Sequence, residues 1–251
     1  MPTAYALPQA PPDEFAPVLD FDVFMSYVFE WKQNQHIAVI GPTEQGKTNL
    51  IYHLLTLRDY VAYLGIKSED ETLDKFASSG GYTRLMNWPP QRGRMMKRTI
   101  TAAEMPKRIV WPDARNFDSE AEQRRVFGAT IRDAWAQGRW CVVWDDFWYL
   151  VHILGLEKDA KKMLLNARSA YSPQVIAAQR GAGNRMVELF DQPTWLFFAR
   201  ETDPRNLMLI GRPSTLEHGY VANLDRFQFL AKNTRTGVMY RTTAPDLMAA
   251  A

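Results

Sequence analysis

The stretch His36-Ile-Ala-Val-Ile-Gly41-Pro-Thr-Glu-Gln-Gly46-Lys47-Thr48 decides how the rest of the chain is read. His36 to Ile40 has the length and apolar character of a short buried strand, and Gly41-Pro42 ends it. Thr48 to Leu57 has the pattern of a helix. Between them, residues 41–48 match G-x-x-x-x-G-K-[ST], so the match falls in the strand–turn–helix context that this motif requires. The physical reading is direct. A glycine-rich turn lets backbone N–H groups converge on phosphate oxygens, and the start of the following helix adds partial positive charge. Gly41, Pro42, Thr43, Glu44, Gln45, Gly46, Lys47 and Thr48, with Asn49 next in line, are therefore expected to surround a nucleotide's phosphates. Lys47 would reach the β- and γ-phosphates, and the Thr48 hydroxyl would hold Mg²⁺. An ordinary tight strand–helix turn is the plain alternative.

A phosphate turn of this kind needs a carboxylate at the end of a buried strand. Cys141-Val-Val-Trp-Asp145-Asp146 supplies two. Adjacent carboxylates after four apolar residues are costly to place without a cation or water. Asp145 is expected in the Mg²⁺ shell. Asp146, one residue further, would polarise the attacking water as general base. The alternative makes them helix-capping aspartates before Phe147-Trp-Tyr-Leu. A third element is Gln174-Val-Ile-Ala-Ala-Gln179-Arg180. An amide at the tip of an apolar strand can touch a phosphate or the attacking water, and an exposed loop glutamine is the equal alternative.

Outward from these elements, the chain of 251 residues suits one large core with small additions. Apolar residues at 46% and eight tryptophans argue against wholesale disorder. The formal net charge of +2 excludes a bulk polyanion-binding tail, though not a local basic patch. A single cysteine, Cys141, excludes an intrachain disulfide and a multi-cysteine zinc site, and fits a reducing compartment. Cys141 lies in an apolar strand and is expected to be inert. His36, His53, His152 and His218 lack metal-ligand spacing. No apolar run approaches a membrane span, no secretory signal is visible, and a cytoplasmic protein is expected.

Residues 1–17, with five prolines, form an extended arm, either a tail or a strap on a neighbour. Residues 18–251 form the remaining domain. Apolar positions 21, 24, 25, 28 and 31 have helical spacing. Strands are expected at Tyr60–Ile66, Arg108–Trp111, Trp140–Trp144, Gln174–Ala178 and Trp195–Ala199, and helices at Ser119–Gln137 and Glu157–Tyr171. This alternation implies an α/β fold with a largely parallel sheet covered by helices on both faces. A β-hairpin at about 224–244, with strands Arg226–Lys232 and Val238–Thr243, closes through Gly237. Trp140, Trp144 and Trp148 read as core packing, with a base-stacking platform as the rival.

Taken together, these elements resemble the FtsK/HerA branch of P-loop ATPases, DNA-pumping motors that include viral genome-packaging ATPases. Trp31 with His36–Thr43 looks like that family's approach to the phosphate turn, and Val142-Val-Trp-Asp-Asp-Phe147 like its acidic strand. Leu165-Asn-Ala-Arg168-Ser-Ala, followed by Val175-Ile-Ala-Ala-Gln179-Arg180, is similar to its arginine-bearing helix and Gln-Arg strand tip. Trp195-Leu-Phe-Phe-Ala-Arg200 through Asp203-Pro-Arg205 resembles the next strand and its Asp-Ser-Arg segment. The likeness spans roughly residues 30–210 with gaps.

The resemblance implies a RecA-like fold with the Gln179 strand between the phosphate-turn strand and the Asp145 strand, making Gln179 a γ-phosphate sensor. It also implies ATP and Mg²⁺ as cofactors, double-stranded DNA as partner, and a homo-oligomeric, hexameric ring. A capsid or portal-like assembly is a further implied partner, in the host cytoplasm or virion if the chain is viral. Arg180 and Arg185 lead the candidates for an arginine acting on the next subunit's nucleotide, ahead of Arg200 and Arg205. Arg92, Arg94, Lys97 and Arg98, or Lys158, Lys161, Lys162 and Arg168, could meet DNA, against solvated surface as the plain alternative.

Two departures stand out. The family has Glu where Asp146 stands, which shortens the base's reach. Glu44 replaces a small loop residue and is expected to face solvent. The expected function is an ATP-hydrolysing motor that translocates or packages double-stranded DNA. An ATP-binding assembly protein that uses the nucleotide as a conformational clamp, with slow or no hydrolysis, is the first rival. A small-molecule P-loop kinase is the second.

Overall fold

A computed structural model describes residues 16–67, 70–92, 98–112, 119–179, 187–214 and 216–247. Among these the strands are β1 (His36–Ile40), β2 (Val61–Leu64), β3 (Thr83–Leu85), β4 (Gln91–Arg92), β5 (Arg98–Thr99), β6 (Lys107–Val110), β7 (Cys141–Trp144), β8 (Gln174–Ala178), β9 (Pro193–Ala199), β10 (Gln228–Asn233) and β11 (Met239–Thr243). The helices are α1 (Phe21–Val23), α2 (Lys47–Leu55), α3 (Glu71–Ser79), α4 (Glu120–Gln137), α5 (Glu157–Asn166), α6 (Glu188–Asp191), α7 (Pro204–Ser214) and α8 (His218–Ala222), with π-helical turns at Phe24–Val28 and Tyr149–Ile153. None of the described helices is long and apolar enough to cross a membrane.

Nine strands form one sheet in the order β11-β10-β9-β1-β8-β7-β2-β6-β3, and β4-β5 form a separate pair. From β9 to β3 every pairing is parallel, while β10 and β11 run antiparallel as the C-terminal hairpin. Each residue of β1, β2, β7, β8 and β9 is buried, as expected of a parallel sheet covered on both faces. Alternation along the strands sorts the core into two layers. Ala38, Ile40, Val142, Trp144, Ile176 and Phe198 face α4, α5 and α7. Ile37, Val39, Val143, Val175 and Phe197 face α2, α3 and Phe24.

Several expected boundaries move. The helical pattern at 21–31 becomes the short α1, capped by the Asp20 side chain, and then a π-helical turn, with extended backbone from Phe29. The expected helix to Tyr171 is regular only to Asn166. It closes through bonds from Ser172 N to Ala167 O and from Tyr171 N to Arg168 O, with Tyr171 at a φ of 51° in the place glycine usually takes. Trp140 and Trp144 are core residues, but Trp148 is half-exposed, with its ring tilted against His152 at 5.5 Å. Residues 1–15 of the expected arm lie outside the described residues. Its end is fixed in place: Ala16 is buried, Arg241 N donates to Pro17 O and Leu19 N to Arg241 O, so residues 16–19 run beside β11.

His36 opens β1 inside the core. Its Nδ1 accepts the Gln174 N–H at 3.0 Å, and its Nε2 is buried without a partner. Burial first, then the Arg168 charge, lowers its pKa to about 3. Below the ordinary histidine value of 6.5 the unfolded chain therefore takes up a proton that the folded chain refuses. Stability is expected to be intact above pH 6.5 and to fall as pH drops from 6.5 toward 3, by about 1.4 kcal/mol per unit from this residue. Denaturant titration from pH 7 to pH 4.5 checks this, with His36→Gln expected to flatten the slope.

Candidate functional site: a phosphate-binding turn facing paired carboxylates

Parallel strands deliver their carboxyl ends to one edge of the sheet, and the segments after β1, β2, β7 and β8 form the site there. The β1 end leads into Gly41–Gly46, and Gly46 caps α2 with a φ of 77°. Gly41 N donates to Ala178 O at 3.0 Å, so the turn continues the ladder to β8. On its other side Gly41 abuts β9: a Cβ there would stand 2.6 Å from the Ala199 Cβ. The first glycine of the motif is thus demanded by the neighbouring strand as well as by any ligand.

β8 lies between β1 and β7, the order the resemblance implies. Trp144 is level with Ile176, so the residues after β7 meet the tip of β8. Gln179 Nε2 donates to Asp146 Oδ2 at 2.7 Å. Asp146 Oδ1 also accepts Tyr149 N at 3.3 Å, so the helix-cap alternative describes one of its two oxygens. Asp146 stands at a φ of 48° and Glu44 at 62°; Glu44 is exposed.

The lysine of the motif folds back on its own loop, donating to Gly41 O at 2.8 Å and Pro42 O at 2.6 Å. Burial draws its pKa down to about 8, against the pull of Asp145 and Asp146. Asp145 is pushed up to about 6 by burial, with Lys67 and Lys47 opposing and Asp70 and Asp146 adding to the rise. The Tyr63 hydroxyl is fully buried without a hydrogen bond of normal geometry; burial first and the Asp145 charge second push it far up. Lys67 binds Asp70 at 2.8 Å; burial lowers its pKa, and the Asp70 hydrogen bond and charge together with the Asp145 and Asp146 charges more than reverse that, so the net shift is upward.

Thr43, Glu44, Gly46, Lys47, Thr48, Asn49, Asp145, Asp146 and Gln179 all line one cleft of ≈ 510 Å³. Gly41 and Pro42 do not line it and are joined to it through the Lys47 bonds. The Gln45 side-chain oxygen is buried without a partner. Asn49 lines the cleft but spends its amide on the C-terminal segment, donating to Pro245 O at 2.5 Å and accepting Leu247 N at 2.9 Å. Ala177 of β8 also lines it, as do Lys67, Asp70, Thr72, Arg226, Phe227, Asp246 and Leu247, which the sequence did not mark as site residues. Lys67 follows a parallel strand at its site-forming end, which was a usable signal. Phe227 carried none.

Other candidates lie elsewhere. Arg180 and Arg185 fall outside the described residues, as do Arg94 and Lys97. Arg168 donates to Gln192 O and acts electrically on His36 at the start of β1, the opposite edge of the sheet from the cleft. Arg200 is exposed just after β9, and Arg205 pairs with Asp203 at 3.5 Å. Lys161 pairs with Glu157, and Lys162 lies 4.8 Å over Trp135. Cys141 is buried and pushed up to about 12. Among the described residues no three His, Cys, Asp or Glu side chains gather as a metal cluster.

The fold is shared with known proteins. The genome packaging NTPase B204 of Sulfolobus turreted icosahedral virus 2, in complex with sulfate, superposes with a TM-score of 0.59 at 15% identity over 85% of this chain and 98% of that one. B204, the DNA-packaging ATPase of Sulfolobus turreted icosahedral virus, gives 0.58 at 16% identity, covering 86% and 100%. VirB4 of Thermoanaerobacter pseudethanolicus gives 0.57 at 11% identity, covering 84% and 89%. The B204 of virus 2 is also known in complex with AMP, AMPPCP and ATP-gammaS. No protein-family profile and no curated protein sequence matches the chain. Two of these neighbours are described as a genome packaging NTPase and a DNA-packaging ATPase, and the fold they share with this chain is the RecA-like one that the sequence resemblance implied.

The tight approach of Gly41 to β9 yields a test. Gly41→Ala is expected to cost about 1–3 kcal/mol through overpacking. Adding Ala199→Gly should return part of that loss in a denaturant titration, because it removes the atom the new methyl strikes.

Proposed function

We propose that the chain is an ATP-hydrolysing motor that moves double-stranded DNA and works as an oligomeric, hexameric ring. The observation that carries the reading is the meeting of the Lys47 turn, the half-buried Asp145 and the Asp146–Gln179 pair in one cleft. The genome-packaging proteins among its structural neighbours support DNA as the moved substrate.

In this reading ATP displaces the loop carbonyls from Lys47, whose ammonium turns to the phosphates. Backbone N–H groups of the turn and of the α2 start orient the triphosphate. The half-buried Asp145 carboxylate, with Thr48 lining the same cleft, fits a divalent cation, since lost hydration and the neighbouring Asp70 and Asp146 charges push it toward its neutral form. Mg²⁺, held by Thr48 and Asp145, would supply positive charge against the phosphate oxygens. Asp146 takes the proton of the attacking water. Gln179 fixes the Asp146 carboxylate and reports whether a γ-phosphate is present. An arginine of the adjoining subunit, with Arg180 and Arg185 first in line, completes the site. DNA then contacts basic loops through its backbone, so stimulation falls with salt.

The clamp alternative draws less support, because Asp146 is already held by Gln179 in a site that faces the phosphate turn, and because the structural neighbours include NTPases and ATPases by description.

Steady-state phosphate release with and without long duplex DNA tests the motor. DNA is expected to raise turnover at low salt, with Lys47→Ala silent in both conditions. Indifference to DNA removes the motor and leaves the ATPase. Gln179→Ala is expected to lower turnover by about 10²-fold while ATP affinity stays near that of the unaltered chain. A matching loss in ATP affinity would place Gln179 in binding rather than in catalysis.

A further inference from the structure

Beyond the phosphate machinery, the cleft is bordered by Arg226, Phe227 and Leu247. Phe227 is unusual there in three respects. The residue is 42% exposed, whereas Phe229 two residues on is buried. Its backbone stands at a φ of 65°, a region bulky residues avoid, inside a tight turn closed by Gln228 N donating to Asp225 O at 3.2 Å. Its ring lies against the end of the phosphate turn: a Cβ on Gly46 would stand 3.2 Å from Phe227 Cδ1. The Arg226 guanidinium lies over the same ring, 4.7 Å from its centroid.

Strain of this kind clusters where a site needs it. Among the described residues five non-glycine residues have positive φ, and three of them, Glu44, Asp146 and Phe227, line this one cleft. The strained turn holds a large apolar ring at the mouth of the cleft, where water alone would disfavour it. A cleft of ≈ 510 Å³ is in the range that encloses a whole small-molecule ligand rather than a phosphate group alone. The segment at Pro245–Leu247, tied to α2 by Asn49, supplies the neighbouring wall.

We propose that Phe227, backed by Arg226, is the platform on which the nucleobase of a bound nucleoside triphosphate stacks. The proposal deepens the ATP reading above and rests on it. Stacking engages a π face that every base possesses, so the site selects nucleoside triphosphates as a class and discriminates little among their bases.

Calorimetric titration of the full chain with ATP, GTP and inorganic tripolyphosphate, each with Mg²⁺, separates the base from the phosphates. ATP and GTP are expected to bind within about threefold of one another and at least about tenfold tighter than tripolyphosphate. Phe227→Ala is expected to weaken both nucleotides by about 10- to 100-fold and leave tripolyphosphate within about twofold. Phe227→Trp, which keeps a stacking face, should retain nucleotide affinity and guards against a folding defect. An equal loss for all three ligands makes the ring a prop for the phosphate turn and overturns the proposal, as does an alanine variant that binds like the unaltered chain. An unaltered chain that binds tripolyphosphate but gains nothing from the nucleoside sinks the platform alone. One that binds none of the three sinks the ATP reading itself.

Discussion

A carboxylate taken out of water must be answered by positive charge, and Asp145 sets that demand for the whole cleft. Burial drives it toward the neutral form, and Lys67 and Lys47 pull it back. Burial lowers the Lys47 pKa as well, and its amine donates to the loop carbonyls of Gly41 and Pro42. The two groups are thus held in mutual debt across a small space, with Tyr63 sealed beneath. Such an arrangement is poorly satisfied by the protein alone. It becomes well satisfied when a polyanion and a cation enter together.

The strand order makes this possible. With β8 between β1 and β7, the phosphate turn, the acidic strand end and Gln179 arrive at the same level of one sheet edge. A different order with the same strands would leave Asp146 and Gln179 apart. The two layers of core side chains hold β1, β7 and β8 in that order, because these strands are buried on both faces and have no solvent side on which to slip.

How much of this could be read beforehand depended on whether a signal was local. The turn at 41–48 announces itself, since its glycines, lysine and threonine are contiguous and flanked by clear patterns. The Asp145 strand was legible for the same reason. The place of the Gln179 strand between the other two was not a local fact and came only with a family resemblance, and the Gln179–Asp146 hydrogen bond was legible in neither. Helix α3 passed unnoticed although Asp70 caps it and Glu71 and Asp74 occupy its first turn, because only Leu73 and Phe76 mark its buried side. Trp148 follows two core tryptophans in sequence but leaves the strand, and the turn at Asp145–Asp146 swings it outward. Phe227 contradicts its own propensity: nothing in Asp225-Arg-Phe-Gln228 foretells a left-handed phenylalanine.

The residues running beside β11 carry a consequence for assembly. Arg241 exchanges main-chain bonds with Pro17 and Leu19, and its side chain reaches back to Ala16 O. The outer margin of the hairpin is therefore partly occupied by the molecule's own chain. A second copy could not simply extend the sheet across that margin without first peeling the strap away. Whatever association the subunits form, the open seam that most invites indiscriminate fibrous stacking is already stitched shut at this point.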